Sequence, residues 1–296
     1  MSDAALIAID WGTTRFRAYL LDRAGAVLDR VESHDGIMAV KPGGFPAVLA
    51  IRCGSWLARH ANVPVIMAGM VGSRNGWVEA PYRACPATAR DLAGAMQSVD
   101  IGNGRIAHII PGCSHRDASG TPDVMRGEET LAFGTRCENG IVILPGTHSK
   151  WVVIENGVIT QFATFMTGEI YAALLNNTIL GTLNTEPSNQ AGFQKGLAAA
   201  KREGGLTHQA FAARTSVLMG DMDGACVAPF LSGLVIGTEI RNAHARFGTN
   251  DKIILVAEGS IADSYREACA ASGLSVTIKT PETCLIDGMA LIAARR

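Results

Sequence analysis

The seven cysteines (53, 85, 113, 137, 226, 269, 284) include no C-x-x-C pair, so no zinc knuckle or thioredoxin-type redox motif can be assembled from chain neighbours. An odd, dispersed count reads as reduced thiols, not as a disulfide frame. The histidines (34, 60, 108, 115, 148, 208, 244) show no H-x-x-x-H spacing. Charge is scarce too: 18% of residues are charged, the net charge is −1, the pI is near 6.7, and no Lys/Arg-rich run occurs. That balance argues against nucleic acid as a partner. The first residues lack a charged segment followed by an apolar one, and no uninterrupted apolar run approaches the roughly 20 residues that span a bilayer. The expectation is a soluble, cytoplasmic chain with no membrane partner. What is abundant is apolar side chain, 48% of 296 residues, enough for one large domain or two ordinary ones.

The order of elements supports two. A strand at Leu6–Ile9 and a second one ending near Asp22 read as a hairpin, and a third extended segment covers Ala26–Ser33. Helical spacing follows in Phe45–His60, a buried strand at Val63–Met67, a helix at Thr88–Met96, a strand at Ile106–Ile110 and a helix at Gly127–Cys137. That is βββαβαβα. From Gly140 the order starts again: a strand at Ile141–Leu144, then two alternating segments around Asn156-Gly157, the strongest hairpin signal in the chain. Helices and strands follow at 168–180, 225–245, 253–257, 262–272, 274–278 and 288–294, with 181–223 as a helical insertion. The expected division is 1–138 and 139–296, two α/β domains around a central cleft.

Each half opens on a glycine-hydroxyl turn at its first strand end. In the first, Asp10-Trp11-Gly12-Thr13-Thr14 offers backbone N–H groups, two hydroxyls and one carboxylate. Such a tip suits a polyphosphate and its divalent cation, with Asp10 toward Mg²⁺. The competing reading is a surface hairpin in which these side chains only satisfy the turn. Pro145-Gly146-Thr147-His148-Ser149 opens the second half. Two such turns facing each other would grip one phosphate chain, and a closing cleft would keep water from it.

With these motifs the sequence resembles the sugar kinase, Hsp70 and actin superfamily of ATPases. D-W-G-T-T is similar to its first phosphate motif, L-P-G-T-H-S-K to its second, and V-A-E-G-S-I-A-D-S-Y (256–265) to its adenosine motif. The segments A-G-M-V-G-S-R-N-G-W (68–77), A-P-Y (80–82), V-M-R-G-E-E-T (124–130), M-T-G-E (166–169) and F-L-S-G-L-V-I-G (230–237) resemble the 2-dehydro-3-deoxygalactonokinase family. The resemblance implies two ribonuclease H-like (actin-like ATPase) domains. It also implies ATP-dependent phosphorylation of 2-dehydro-3-deoxy-D-galactonate at its 6-hydroxyl. The alternatives are a kinase of another sugar or sugar acid, and a non-catalytic ATP-gated protein. The family's usual glycine is replaced by Glu258 in the adenosine loop, which leaves nucleotide preference open.

The resemblance also distributes roles. Asp10 is the metal carboxylate; Gly12, Thr13, Thr14, Gly146 and Thr147 are phosphate groups; Glu258 and Gly259 belong to the adenosine loop. Arg17 is expected either at the transferring phosphoryl group or the substrate carboxylate, or facing solvent. Arg126-Gly127-Glu128-Glu129 precedes a helix, where acidic residues are favoured electrostatically in any case. Related sugar kinases place a base at such a turn shortly before the second phosphate motif. Glu128, 18 residues before Gly146, is therefore expected to be the general base, with Glu129 and Asp123 in reserve. Ser73, Trp77, Tyr82 and Arg126 are the substrate candidates. His148 is read either as a site residue or as a strand-end cap. Expected cofactors are ATP and Mg²⁺, the expected partner is a small sugar acid, and a homodimer is compatible with the sequence.

Overall fold

The computed structural model describes residues 3–248 and 252–296. In chain order its strands and helices are β1 (Ala4–Trp11), β2 (Phe16–Asp22), β3 (Val27–Ser33), α1 (Phe45–Arg59), β4 (Val65–Ala68), β5 (Arg83–Ala84), α2 (Ala89–Gly94), β6 (Gln97–Asp100), β7 (Ile106–Ile109), β8 (Cys113–Arg116), β9 (Pro122–Met125) and α3 (Glu128–Gly134). They continue as β10 (Asn139–Leu144), β11 (Ser149–Glu155), β12 (Val158–Phe165), α4 (Thr167–Asn177), α5 (Ala191–Ala200), α6 (Gly205–Leu218), α7 (Val227–Phe247), β13 (Ile253–Val256), α8 (Gly259–Ala271), β14 (Val276–Lys279) and α9 (Pro281–Ala293).

The duplicated order read from the sequence reappears in the sheets. One sheet runs β3-β2-β1-β4-β7-β6 and the other β12-β11-β10-β13-β14. The first strand of each half therefore sits between its own hairpin partner and a parallel crossover strand, Val65–Ala68 for one and Ile253–Val256 for the other. Both first strands are buried along their length, which explains their unbroken apolar runs.

Two compact units result. The first comprises Met1–Asn139, Ile154–Phe162 and Thr280–Arg296; the second comprises Gly140–Val153 and Ala163–Lys279. The sequence division at 138/139 differs from this at Ile154–Phe162 and at the C-terminus. The closing helix α9 belongs to the first unit because it packs on α3 through glycines: a Cβ on Gly134 would lie 1.7 Å from the Cys284 carbonyl oxygen, and one on Gly288 would lie 1.9 Å from that of Thr130. The helix also begins at Pro281 instead of Gly288, with Thr280 as N-cap accepting from the Thr283 amide at 3.4 Å.

The core of the first unit gathers around Trp11, whose ring meets Phe16, Phe45 and Trp77 edge-on at centroid distances of 4.8, 5.3 and 6.2 Å. Such pairs add about 0.5–1.5 kcal/mol each beyond burial. Trp11 and Phe16 of this cluster bracket the Gly12–Thr14 turn in the chain, so buried side chains anchor the turn on both sides. Short strands the periodicity had not revealed, β5, β8 and β9, form a three-stranded sheet beside it.

In the second unit, α5 and α7 pack backbone to backbone. Cβ atoms on Gly196 and Gly233 would lie 2.1 and 2.2 Å from the carbonyl oxygens of Phe230 and Phe193. Gly233 and Gly237, four apart on α7, thus serve close helix packing. The segment Gly224–Phe247 has the length and mean hydropathy (1.2) of a spanning helix, a run the sequence reading had not credited. Its most apolar window is 67% buried inside the fold, and a carboxylate, Glu239, is buried within it.

Candidate active site

In the first unit, three chain segments meet at the end of β1. Asp10 lies opposite Arg17 in the hairpin register, and the guanidinium folds back on it, Nη2 donating to Asp10 Oδ2 at 2.5 Å and Nε at 3.1 Å. Arg17 is partly exposed and folded back on Asp10, which it orients. Burial pushes the Asp10 carboxyl above its ordinary value, Arg17 pulls it back, and the charge on Glu128 adds to the push. The other oxygen, Oδ1, faces Gly69 at φ +90°, where a Cβ would lie 3.0 Å from it. Gly127, at φ +103°, lies against Gly69 in turn; its notional Cβ would be 3.4 Å from the Gly69 Cα. Both positions require glycine, one for each loop that closes on Asp10.

Glu128 is the first residue of α3, half-buried, and its Oε2 accepts the Arg126 amide at 2.8 Å. Glu129, next to it, is fully buried, with Oε2 accepting the Gly127 amide at 2.8 Å and Oε1 the Thr130 hydroxyl at 3.1 Å. Burial, and then the charge on Glu128, push its carboxyl up to about 8. Glu129 offers no exposed oxygen to a substrate hydroxyl, whereas Glu128 is half-buried. Asp123 lies on β9, opposite His115.

Arg126 is buried, 9% exposed, with Nη2 donating to the Ala80 carbonyl at 2.8 Å and the guanidinium stacked 4.3 Å over the Tyr82 ring. Its Nε and Nη1 have no hydrogen-bond partner. Of the other substrate candidates, Tyr82 is 41% exposed and lies against Arg126, whereas Ser73 donates to the Met70 carbonyl at 2.7 Å and so closes its own turn. Trp77 is half-buried: its ring stacks on Phe45 at 5.8 Å and packs against the core, with the rest of its surface open.

The phosphate glycines differ from these. A Cβ on Gly12 would meet only the Arg15 carbonyl oxygen, at 3.6 Å, and one on Gly146 only that of His148, at 4.0 Å. Neither has a positive φ. The fold does not demand glycine at either place, and the bare backbone leaves room for a phosphate to approach. Thr13 and Thr14 are exposed beside Gly12, with the Thr13 carbonyl accepting the Met38 amide at 3.2 Å.

In the second unit a cavity of about 200 Å³ runs from Gly146 to the start of α8. Its walls are Thr167, Gly168 and Tyr171 of α4, Ser232, Val235 and Ile236 of α7, and Ser260, Ile261, Ser264 and Tyr265 of α8. The second phosphate turn and the adenosine loop are thus brought to one cavity. Thr147 braces it, its carbonyl accepting the Glu169 amide at 3.1 Å. Glu258 and Gly259 are exposed; Glu258 precedes α8 without capping it, and neither lines the cavity. His148 is tied to Glu169 (Nε2 to Oε2, 2.5 Å) on the surface. The α7 wall was missed because its apolar residues read as ordinary core.

Among the described residues no group of three or more His, Cys, Asp or Glu could hold a metal ion. A lone carboxylate at a phosphate turn still suits Mg²⁺, which keeps several waters and takes its other ligands from phosphates. Asp10 meets that requirement.

Comparison with known proteins extends these features to the whole chain. The 2-keto-3-deoxy-galactonokinase family matches residues 10–292. The 2-dehydro-3-deoxygalactonokinase of Escherichia coli (strain K12) is 36% identical, covering 98% of both chains. The probable 2-dehydro-3-deoxygalactonokinase of Rhizobium meliloti (strain 1021) is 34% identical over 97% of this chain and 95% of its own. A crystal structure of a Sinorhizobium meliloti protein given the same enzyme name superposes with a TM-score of 0.88 at 33% identity, covering 97% and 98%. More remote structures, at 13–15% identity and TM-scores of 0.51–0.54, share the actin-like ATPase fold alone.

Proposed function

The chain belongs to the 2-keto-3-deoxy-galactonokinase family, and from that premise we propose that it transfers a phosphoryl group from ATP to the 6-hydroxyl of 2-dehydro-3-deoxy-D-galactonate, the kinase step of galactonate catabolism. The observation that supports this reading is the meeting of Asp10 with the Gly69 and Gly127 loops within range of the Glu128 charge, while Arg126, next to Gly127 in the chain, keeps two buried guanidinium nitrogens without a partner among the described residues.

Each group has a task that its environment suits. The substrate is an anion, and a guanidinium with spare N–H groups is a strong receptor for a carboxylate. The exposed Tyr82 ring lies over Arg126, so substrate reaches it by displacing the ring edge. Glu128 sits at the start of a helix, half-buried and close enough for its charge to act on Asp10, and it accepts the proton of the attacking hydroxyl. Phosphoryl transfer passes through a loose transition state, so holding that hydroxyl in line matters more than removing its proton early. Arg17 keeps Asp10 pointed toward the turn. Gly12, Thr13 and Thr14 offer amides and hydroxyls to phosphate oxygens.

The second unit takes the nucleotide: Gly146 and Thr147 at the phosphates, Ser260 and Ile261 along the nucleoside, Val235 and Ile236 as the apolar wall. MgATP, when bound, supplies the phosphoryl group and neutralises its charge, with Asp10 as the metal's protein ligand. The proposal carries a cytoplasmic location and a small-molecule partner, with neither nucleic acid nor membrane required.

The test is ADP release measured over a panel of 2-keto-3-deoxy acids, aldonates and hexoses. Release dependent on the galactonate-derived acid supports the reading. Release that follows a hexose instead, or that ignores every acceptor, overturns it.

A further inference from the structure

Glu239 of α7 is 2% exposed, and both of its carboxylate oxygens are fully engaged. Oε1 accepts the Ser149 hydroxyl and the Trp151 indole N–H, each at 2.7 Å. Oε2 accepts the Tyr265 hydroxyl at 2.7 Å and the Thr167 hydroxyl in a shorter contact. A carboxylate has about four lone-pair sites, and here four donors fill them. The indole can only donate, so the arrangement is built for an acceptor-only group.

The donors come from three elements that shape the cavity described above. Ser149 and Trp151 open β11, directly after the Pro145–Thr147 turn. Thr167 begins α4, and Tyr265 lies on α8; both line the cavity. Glu239 itself lies three, four and seven residues beyond Ile236, Val235 and Ser232, on the face of α7 that forms the fourth wall. Tight packing leaves little slack: a Cβ on Gly168, next to Thr167, would lie 2.6 Å from the Gly146 carbonyl oxygen.

We propose that Glu239 is a positioning residue for nucleotide binding. One buried carboxylate fixes the phosphate turn, the start of α4 and the adenosine helix in the arrangement that a purine nucleotide requires. The proposal rests on the reading that ATP occupies this cavity. Glu239→Gln keeps the volume but replaces an acceptor by an NH₂ group that confronts two donors. The cavity then loses its brace without losing any lining side chain.

The experiment measures the dissociation constant of a non-hydrolysable ATP analogue by calorimetry, the KM of the sugar acid, and the thermal midpoint. It uses the full chain and the Glu239→Gln, Ser149→Ala and Gly146→Val variants. Glu239→Gln is expected to weaken nucleotide binding by about 10- to 100-fold, the loss typical of hydrogen bonds to a charged group. The KM of the sugar acid should change by less than about twofold, since each site lies within its own unit. Ser149→Ala, which removes one donor remote from the cavity lining, should weaken nucleotide binding in the same direction. Its effect should shrink in the Glu239→Gln background. If Glu239→Gln does not fold, Ser149→Ala decides alone. Wild-type nucleotide affinity in the folded Glu239 variant, or in Ser149→Ala when it stands alone, overturns the proposal, provided Gly146→Val abolishes binding. Wild-type affinity in Gly146→Val overturns the cavity assignment itself.

Discussion

Replacing Arg126 by Met should separate substrate capture from stability. The side chain is 9% exposed, Nη2 donates to the Ala80 carbonyl at 2.8 Å, and the guanidinium lies 4.3 Å over Tyr82. Losing these costs about 1.5–3 kcal/mol for a hydrogen bond from a charged donor and about 0.5–2 kcal/mol for the cation–π contact. Against that stand Nε and Nη1, buried without partners, each costing about 1–3 kcal/mol in the free protein. The two sides offset to within about 2 kcal/mol, so the thermal midpoint of Arg126→Met should move by only a few degrees. Substrate binding has no such compensation. A bidentate charged pair lost from a buried site should raise the KM of the sugar acid by about 100-fold or more. Differential scanning fluorimetry and steady-state kinetics on one preparation measure both. A large loss of stability with unchanged KM would refute the argument, because the guanidinium would then be a structural strut.

Other substitutions follow from the same geometry. Glu128→Gln keeps an oxygen for the Arg126 amide, so it should fold normally while kcat falls by about 100-fold, as for loss of a general base; near-normal turnover removes Glu128 from that role. Gly12→Ala places a Cβ where the fold has space, 3.6 Å from its nearest neighbour; the KM for ATP should rise about tenfold with an unchanged melting curve, the cost of crowding a phosphate contact. Gly69→Ala is the opposite case, with φ +90° and a Cβ 3.0 Å from Asp10 Oδ1; it should lower both stability and kcat, and a silent variant would contradict the packing described. For Glu129 the sign follows from linkage. Its carboxyl titrates near 8 when folded and near 4.5 in the unfolded chain, so the native state holds the extra proton between those values. Stability should fall as pH rises from about 4.5 to about 8, with the penalty complete above that range. Glu129→Gln should flatten that slope in pH-dependent melting, and an unchanged slope would assign it to other groups.

What the sequence disclosed, and what it hid, follows from which interactions are local. The β1–β2 turn and Asn156-Gly157 are short-range signals, and both hairpins lie where those residues put them. The buried strands Val65–Ala68 and Ile253–Val256 were legible because they are apolar throughout, whereas their parallel places beside β1 and β10 come from tertiary pairing. Arg83–Ala84 and Pro122–Met125, by contrast, are strands only through pairing with Cys113–Arg116, a tertiary contact without local periodicity. The early start of α9 was legible in Thr280-Pro281 and was passed over. In the site, Asp10 and Glu128 were legible as candidates because each stands at an element end within two residues of a glycine turn. Trp77 after a glycine-rich loop reads equally as platform or core; its stacking on Phe45 is a tertiary contact with no local signal. Glu239 gave one sign, a carboxylate on the apolar face of a long helix. Its four donors are 26 to 90 residues distant in sequence, and only the fold assembles them.

The central claim is that the groups around Asp10 pass a phosphoryl group to a galactonate-derived keto-deoxy acid. The direct measurement is phosphorus and carbon NMR of the product formed from ATP and 2-dehydro-3-deoxy-D-galactonate, by wild type and by Glu128→Gln. A single phosphate ester on the 6-oxygen, formed by wild type and nearly absent with the variant, is the expected result. A phosphate on another oxygen, or equal product from both proteins, would contradict the account.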